Sequence, residues 1–597
     1  MSGSLRPELR ARIHVARNRI NALLLAELQP SGHWVGELST SALSTATAVI
    51  ALVNVDANRY AGLVQRGLEW LAANANADGG WGDTIRSLSN LSTTALGWAA
   101  FGAAGADCTF ATTVQNAQNY LAQHAGSLDN LVSAIEGRYG KDRTFSVPIV
   151  MTLALSGRLG PDGWKRVRPL PFELAALPRG FFGALRLPVV SYALPALIAI
   201  GQVIYYKNPS LNPFRALTRE KTLQVLTAIQ PINGGFLEAT PLTSFVTMSL
   251  AAMGLGSHIV AQRGAQFLVD SVRPDGSWPI DTNLATWVTT LAIKGLRHSP
   301  ECLTAPQRQK LMDWLLGQQY RVEHPYTGAR PGGWAWTDLP GGVPDADDTA
   351  GALIALRILK DQGTDDPRLA SAVDSGVFWL QCLQNRDGGI PTFCPGWGTL
   401  PFDQSTPELT AHALRAWDTW LEELPTGHQN TLIRHIFRAL KFLEESQKDD
   451  GTWVPLWFGS EHAHDQENSV YGTASVLATF PPVCPGGFGF PTERLEKAQR
   501  WLITAQNPNG GWGGAPGLAP SIEETSLALT ALSSVPIAAE SVERGIEWLL
   551  TKFEASNFPE PAPIGLYFAK LWYYEKLYPL VFAAQALGPL SQAAVTK

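Results

Sequence analysis

The chain repeats one short phrase along most of its length. A helix-patterned segment closes on an aromatic–Leu pair and runs into a Gln/Asn–Gly–aromatic loop, and another apolar segment follows. The loops end at Trp34, Trp81, Phe236, Trp278, Trp334, Ile390, Trp453 and Trp512. The helices leading into them carry Trp70, Phe267, Trp314, Trp379, Phe442 and Trp501. Self-similarity at a spacing of roughly 40–60 residues makes each unit too small to bury its own apolar face, so it must stack on its neighbours. The Asp-Gly and Asn-Gly pairs predict helix ends with a left-handed glycine cap. The Ser/Thr-rich segments after the loop aromatics, such as LSTSALSTATAVIAL and SIEETSLALTAL, predict capped starts of the next helix. The loop Gln is expected to bond neighbouring helix-end groups, and the loop Trp to lie across a helix end. On this reading six of the 20 tryptophans are structural staples. No useful run of strand alternation competes. The fold class expected is all-α, with outer and inner helices alternating around two α/α barrels.

Composition narrows the functional classes. Hydrophobic residues make up 45% of the 597 and charged residues only 16%, against roughly 25% charged in ordinary soluble domains. The cores are large, or part of the surface meets something apolar. A net charge of -6 without a basic run speaks against a nucleic-acid partner. The cysteines (Cys108, Cys302, Cys382, Cys394, Cys484) form no CxxC, which disfavours a disulfide framework or a cysteine zinc site. The N-terminal segment lacks the apolar stretch of a secretory signal, and a cytoplasmic setting is expected. Leu187 to Tyr206 is uncharged and long enough to span a bilayer. It contains Pro188, Pro195 and Gln202 and has no companion span, so a buried barrel helix is the preferred reading.

The chemistry is concentrated in four motifs. The first is Pro344-Asp-Ala-Asp-Asp-Thr-Ala, with carboxylates at Asp345, Asp347 and Asp348, preceded by GGWAW at Gly332–Trp336. The others are Glu408-Leu-Thr-Ala-His412 and Asn468-Ser-Val-Tyr-Gly-Thr473, with the Gly-x-Trp loops running through all of them. Taken together, over about residues 20–597, these resemble the class II terpene cyclases, specifically the squalene–hopene cyclase group. There the acid motif reads Asp-x-Asp-Asp-Thr-Ala and the histidine motif Asp-Val-Thr-Ala-His. The resemblance implies a barrel of residues 30–280 inserted into a second barrel of 281–597, to which the N-terminal helix of 1–29 belongs, with a cavity between the two.

The resemblance further implies an enzyme that protonates an alkene of a linear polyprenoid, after which the carbocation closes rings without oxidation or cofactor. Asp347 would be the proton donor, Asp345 and Asp348 its carboxylate partners, and His412 the residue contacting the donor. Clustered carboxylates cannot all ionise, so one holds a proton that a nearby histidine makes easier to give up. Glu408 lies four residues before His412 and would share its helix face, in a position to orient or charge the imidazole. By position, Trp287, Trp336, Phe393 and Tyr574 match aromatics that would stabilise cations in a water-poor cavity. No metal is implied: Asp347-Asp348 continue as Thr-Ala-Gly rather than as a diphosphate-binding Asp-Asp-x-x-Asp, and His462-Ala-His464-Asp465 reads as a surface loop.

The departures matter too. GGIPTFC at Gly388–Cys394 stands where the family has a Gly-Gly-Trp loop. Leu571 replaces an aromatic within YFAKLWYYEKLYP (Tyr567–Pro579). The connection from Tyr206 to Asn212 is only a few residues, where hopene-forming members carry a longer segment of their membrane channel. Squalene, giving a hopene-like triterpene, is the leading substrate; a shorter or functionalised prenyl chain is the alternative. A peripheral contact with the inner face of the membrane and a homodimeric state stay open. A Trp-rich α/α-barrel glycoside hydrolase, with its pair of carboxylates, and a non-catalytic repeat scaffold are the readings from other classes. The repeated Gly-x-Trp loops and the Thr-Ala-His match argue against the hydrolase.

Overall fold

The computed structural model describes residues 6–140, 143–185, 187, 191–360, 366–393, 401–480, 489–556, 558–566 and 570–592. Pro188, Cys394, Cys484 and the first three residues of the Tyr567–Pro579 segment lie outside them.

Two closed rings of inner helices organise the molecule. In the first, Ala285–Leu296, Ala346–Leu359, Pro407–Trp420, Ser469–Leu477, Ile522–Leu532 and Tyr578–Gln592 each pack on the next, and the last returns to the first. Outer helices alternate with them, and Pro7–Ala26 fills the final outer place against Ala539–Ala555 and Tyr578–Gln592. The second ring closes through Ala42–Asp56, Leu91–Ala103, Arg143–Leu155, Leu194–Lys207 and Thr240–Ala252. Inner helices are apolar or small on nearly every side: Ala346–Leu359 buries most of its length. Outer helices are two-faced, as in Thr426–Ser446, which buries Leu432, Ile436, Ala439, Leu440 and Leu443. The molecule is thus a pair of α/α barrels.

Each ring has its own core. One gathers the N-terminal helix, Trp34 and residues from Trp287 to Leu587; the other runs from Ala42 to Trp278 and adds Tyr326, Val343 and Phe393. The chain enters and leaves the second ring side by side, because Thr40–Ser41 pairs antiparallel with Trp278–Pro279. The uncharged stretch supplies the inner helix Leu194–Lys207, with Ile198, Ile200, Gln202 and Val203 buried. No helix among the described residues is long and apolar enough to cross a membrane.

The repeat has a fixed hydrogen-bond grammar. Each loop Trp donates its indole N–H to a carbonyl in the last turn of the preceding helix: Trp34 to Leu24, Trp81 to Leu71, Trp278 to Leu268, Trp334 to Leu315, Trp453 to Leu443 and Trp512 to Leu502, at 2.6–2.8 Å. Its backbone N–H donates to a Thr hydroxyl on an inner helix, for example Trp334 to Thr349 (3.0 Å) and Trp512 to Thr525 (2.9 Å). Ile390 keeps the same bond, to Thr410 (2.9 Å), although it has lost the indole. The loop Gln spans two carbonyls: Gln506 reaches Gly510 in its own loop and Ser541 on an outer helix, both at 2.7 Å. These are the staples the sequence predicts.

The glycines act differently from the expectation. The helix Thr492–Thr504 is capped by Ala505 in a right-handed conformation, and Gly510 lies beyond it with φ 94°. A Cβ there would sit 2.6 Å from the Arg544 carbonyl oxygen. The glycine therefore turns the loop tightly against the next outer helix instead of ending the previous one.

Candidate active site

The acid motif is a repeat unit whose cap has become acidic. Asp345 is the N-cap of Ala346–Leu359: its Oδ1 accepts the Asp348 backbone N–H (2.9 Å), and its own N–H donates to the Trp334 carbonyl (3.0 Å). Thr349 receives the Trp334 N–H and donates to the Asp345 carbonyl (2.6 Å). Ala346 N–H donates to the Thr392 carbonyl of the next unit (2.9 Å). The staple, the cap and the neighbouring loop thus fix the first turn of the helix, where Asp347 and Asp348 sit in the positive end of its dipole.

Asp345 and Asp348 are buried, each 4% exposed. Burial, together with the crowding of three carboxyls at one helix end, pushes both carboxyls well above the ordinary aspartate range. Asp347 is less enclosed and accepts or shares a 2.5 Å hydrogen bond between its Oδ1 and His412 Nδ1. Burial lowers the His412 imidazole, and Asp347 opposes that shift. Lys294 and Arg415 lie close enough to the histidine to oppose its charged form; burial and the two neighbouring arginines bring Lys294 down to about 7. The ring of Trp287 meets His412 edge-on at 6.2 Å.

All three aspartates open on a cavity of about 350 Å³ between the barrels. Leu43, Leu96, Phe145, Ile149 and Phe245 line it from one ring; Trp287, Trp336, Phe393, Trp457 and Phe458 belong to the other half of the chain. Trp336 and Phe393 meet edge-on at 6.1 Å. Trp287 donates its indole N–H to Tyr578 Oη (3.0 Å), and its backbone N–H to the Trp336 carbonyl (3.2 Å). The wall is aromatic and aliphatic, with few polar groups.

Two expectations are corrected. Glu408 does not attend the imidazole. Its Oε1 accepts the backbone N–H groups of Leu456 (2.8 Å) and Trp457 (3.2 Å), and burial raises the carboxyl to about 7. At the second helical position the carboxylate reaches the neighbouring loop, so the shared face with His412 is not used. Tyr574 is not in the wall. The strand Leu571–Tyr573 pairs with Ile564–Leu566, and alternation puts Leu571 and Tyr573 in the cavity wall. Tyr574 lies under the Arg86 guanidinium, 5.2 Å from its ring centre.

Sequence reasoning missed Tyr573, Trp457, Phe402 and the whole apolar wall from the other ring. Trp457 is fixed by an indole hydrogen bond to Thr392 (2.7 Å) and packs on Phe393 and Phe402. A signal did exist. Counting back two residues from the Thr that receives the loop N–H gives Leu43, Pro241, Trp287 and Asp347 in four units, and these line the cavity, while the other four units give Ser92, Glu408, Tyr471 and Glu523, which do not.

Residues 283–592 match the squalene-hopene cyclase C-terminal domain and residues 18–224 the squalene-hopene cyclase N-terminal domain. Among curated relatives, a squalene–hopene cyclase of Bradyrhizobium diazoefficiens is 28% identical over 49% of this chain and 47% of its own length. A drimenyl diphosphate synthase of Streptantibioticus cattleyicolor is 30% identical over 46% of this chain and 48% of its own. The matched stretches span about half the length of these relatives. In fold, ent-copalyl diphosphate synthase from Streptomyces platensis superposes over 98% of this chain and 100% of that one, with a TM-score of 0.52 at 17% identity. With both domain families matched in order across most of its length, the chain belongs to the squalene-hopene cyclase family.

Proposed function

We propose that the protein is a class II terpene cyclase in which Asp347 protonates a terminal alkene of a linear isoprenoid. The observation that carries this is the Asp347–His412 pair, 2.5 Å apart, facing an aromatic cavity beside two buried carboxyls held towards the neutral form. In the step, the Asp347 O–H bond breaks as the alkene π pair takes the proton, leaving a tertiary carbocation. The new carboxylate is stabilised by the His412 N–H and by the helix dipole. Successive alkenes attack the cation, and Trp287, Trp336 and Phe393 present ring faces or edges around its path. Loss of a proton or capture of water ends the reaction.

Squalene is the leading substrate, since the family models that match are those of squalene-hopene cyclases. A shorter or functionalised prenyl chain is the second reading, favoured by Leu571 in the wall where the resemblance expects an aromatic. The division into a barrel of 30–280 inserted into one of 281–597 plus residues 1–29 is supported by the two separate cores. Exposed Leu211, Phe214 and Leu217, following the inner helix Leu194–Lys207, support a peripheral contact with a lipid surface.

The test is a metal-free incubation. The purified protein, in excess EDTA, is given squalene and C15 and C20 prenyl chains, and products are read by mass spectrometry. Cyclic products are expected undiminished by EDTA. A requirement for Mg²⁺, or no cyclic product from any chain, would overturn the reading.

A further inference from the structure

The cavity holds a fourth carboxyl that the proton-transfer step does not use. Asp281 lies just past the strand Trp278–Pro279 and lines the same cavity as Asp347. Its electrostatic neighbour is Glu238, on the loop that leads into the inner helix Thr240–Ala252. The placement is built with care. Asp281 Oδ1 accepts the Thr282 N–H (2.8 Å), and the backbone pairs with Ala239. Leu237 and Glu238, both non-glycine, are left-handed at φ 56° and 53°, a conformation that costs energy for any L residue with a side chain. That strain is held by the Glu238 carboxylate, which accepts from Asn233 Nδ2 (2.7 Å), the Gly341 N–H (2.6 Å) and Thr282 Oγ1 (3.1 Å).

Burial and the charge of Glu238 push the Asp281 carboxyl well above the ordinary aspartate range. A neutral carboxylic acid in an apolar wall is a hydrogen-bond donor as well as an acceptor. Against a bare hydrocarbon such a group loses water and gains nothing, which costs binding. Against an oxygen atom it is matched.

We infer that Asp281 is a polar anchor in the substrate cavity, which favours the second substrate reading over squalene: a linear isoprenoid carrying an oxygen function (a hydroxyl, carbonyl or ether) rather than a hydrocarbon alone. This rests on the proposed cyclase reading and names the substrate class of that same cavity. The anchor selects which chain binds and how it is seated; Asp347 still supplies the proton.

Binding separates the anchor from the chemistry. In the Asp347→Asn background, where no substrate should be consumed, quenching of cavity tryptophan fluorescence is titrated with farnesol and with a C15 prenyl hydrocarbon of matched length. The alcohol is expected to bind about tenfold more tightly. Asp281→Leu should erase that ratio, and Asp281→Asn, which keeps a donor, should retain most of it. Asp281→Ala serves as a second apolar variant where leucine disturbs folding, checked by thermal melting. Equal affinity for the two chains in the parent, or a preference that survives loss of the carboxyl, would overturn the anchor. If wild-type protein makes no cyclic product while the alcohol preference stands and depends on Asp281, the Asp347 reading fails and the anchor does not.

Discussion

Two units of the same ring carry acids at the same repeat position and put them to opposite uses. In one, Asp345-Ala-Asp347-Asp348-Thr349 follows the Trp334 loop; in the other, Ser521-Ile-Glu523-Glu524-Thr525 follows the Trp512 loop. Both begin with a capping side chain that accepts the N–H three residues on, and both place a Thr hydroxyl under the loop Trp. Yet Asp347 opens on the cavity and meets His412, while Glu523 accepts the Ala562 N–H (3.1 Å) and Glu524 accepts from Asn468 Nδ2 (2.9 Å). Glu408 repeats the second pattern, holding Leu456 and Trp457. The repeat offers a buried carboxyl at a helix N-terminus in several places. The longer glutamate reaches a neighbouring loop and becomes a brace; the shorter aspartate stops at the cavity, where on the proposed reading it is the group that reacts.

The largest effect should come from breaking the reactive member. Asp347→Asn removes the transferable proton and keeps the shape of the hydrogen bond to His412. Turnover is expected to fall by about 10³-fold or more, with the melting temperature little changed. Activity within threefold of wild type would take the role away from Asp347.

Breaking the braces should give the reverse pattern. Glu523→Ala leaves the part-buried Ala562 N–H without its acceptor, so stability should fall by about 1–3 kcal/mol, with turnover per folded molecule within threefold. Glu408→Ala should show a similar loss of stability plus about tenfold in activity, because the loop it holds carries the cavity residue Trp457. Denaturant melts alongside product assays separate the two. A Glu523 variant that is fully stable but inactive would mean the two units are not divided as argued.

How much of this contrast the sequence displays depends on the kind of residue. The staples and the two rings are legible because they rest on local grammar: Trp, Gly and Thr at fixed offsets. The acid motif is legible for the same reason, since Asp345 is at once a cap and a member of the cluster. Glu408 was misread because helical spacing says which residues share a face and nothing of which loop lies within reach of a longer side chain. The family match points to Tyr574, but the strand ends one residue earlier, and its period of two puts Leu571 and Tyr573 on the cavity side. The apolar wall of Leu96, Phe145, Ile149 and Phe245 carries no motif, because any apolar side chain of the right size serves there.

The braces also set a pH dependence. Burial raises Glu461, Glu523 and Glu575 each to about 8, and each accepts at least one backbone N–H, Glu461 from Leu88 and Glu575 from Glu37. A carboxyl raised in the folded state binds a proton there that the unfolded chain has already lost. Its stabilisation is complete below about 4.5 and disappears as pH rises through about 8. The melting temperature should therefore fall by roughly 5 °C between pH 6 and pH 9. Glu461→Gln and Glu575→Gln together should flatten that slope. A melting temperature that rises over the same interval would show that these carboxyls are ionised in the folded protein.

The smallest effect tests the wall rather than the acids. Leu571 and Tyr573 stand on the same side of one short strand, both facing the cavity, with Trp572 turned away and buried between them. An aromatic ring at position 571 would add a cation–π contribution of ~0.5–2 kcal/mol to any carbocation passing that point. Such a term does not create the reaction. It changes the balance between one more ring closure and early loss of a proton, by about 2- to 30-fold in product ratio. Leu571→Phe should therefore leave the rate of substrate loss nearly constant and shift the products towards more rings, measured by gas chromatography of the whole product set. A bulkier ring that blocks the cavity would instead lower all products together. An unchanged ratio in a folded, active variant would show that the cation never passes this strand, and that its path lies against Trp287, Trp336 and Phe393 alone.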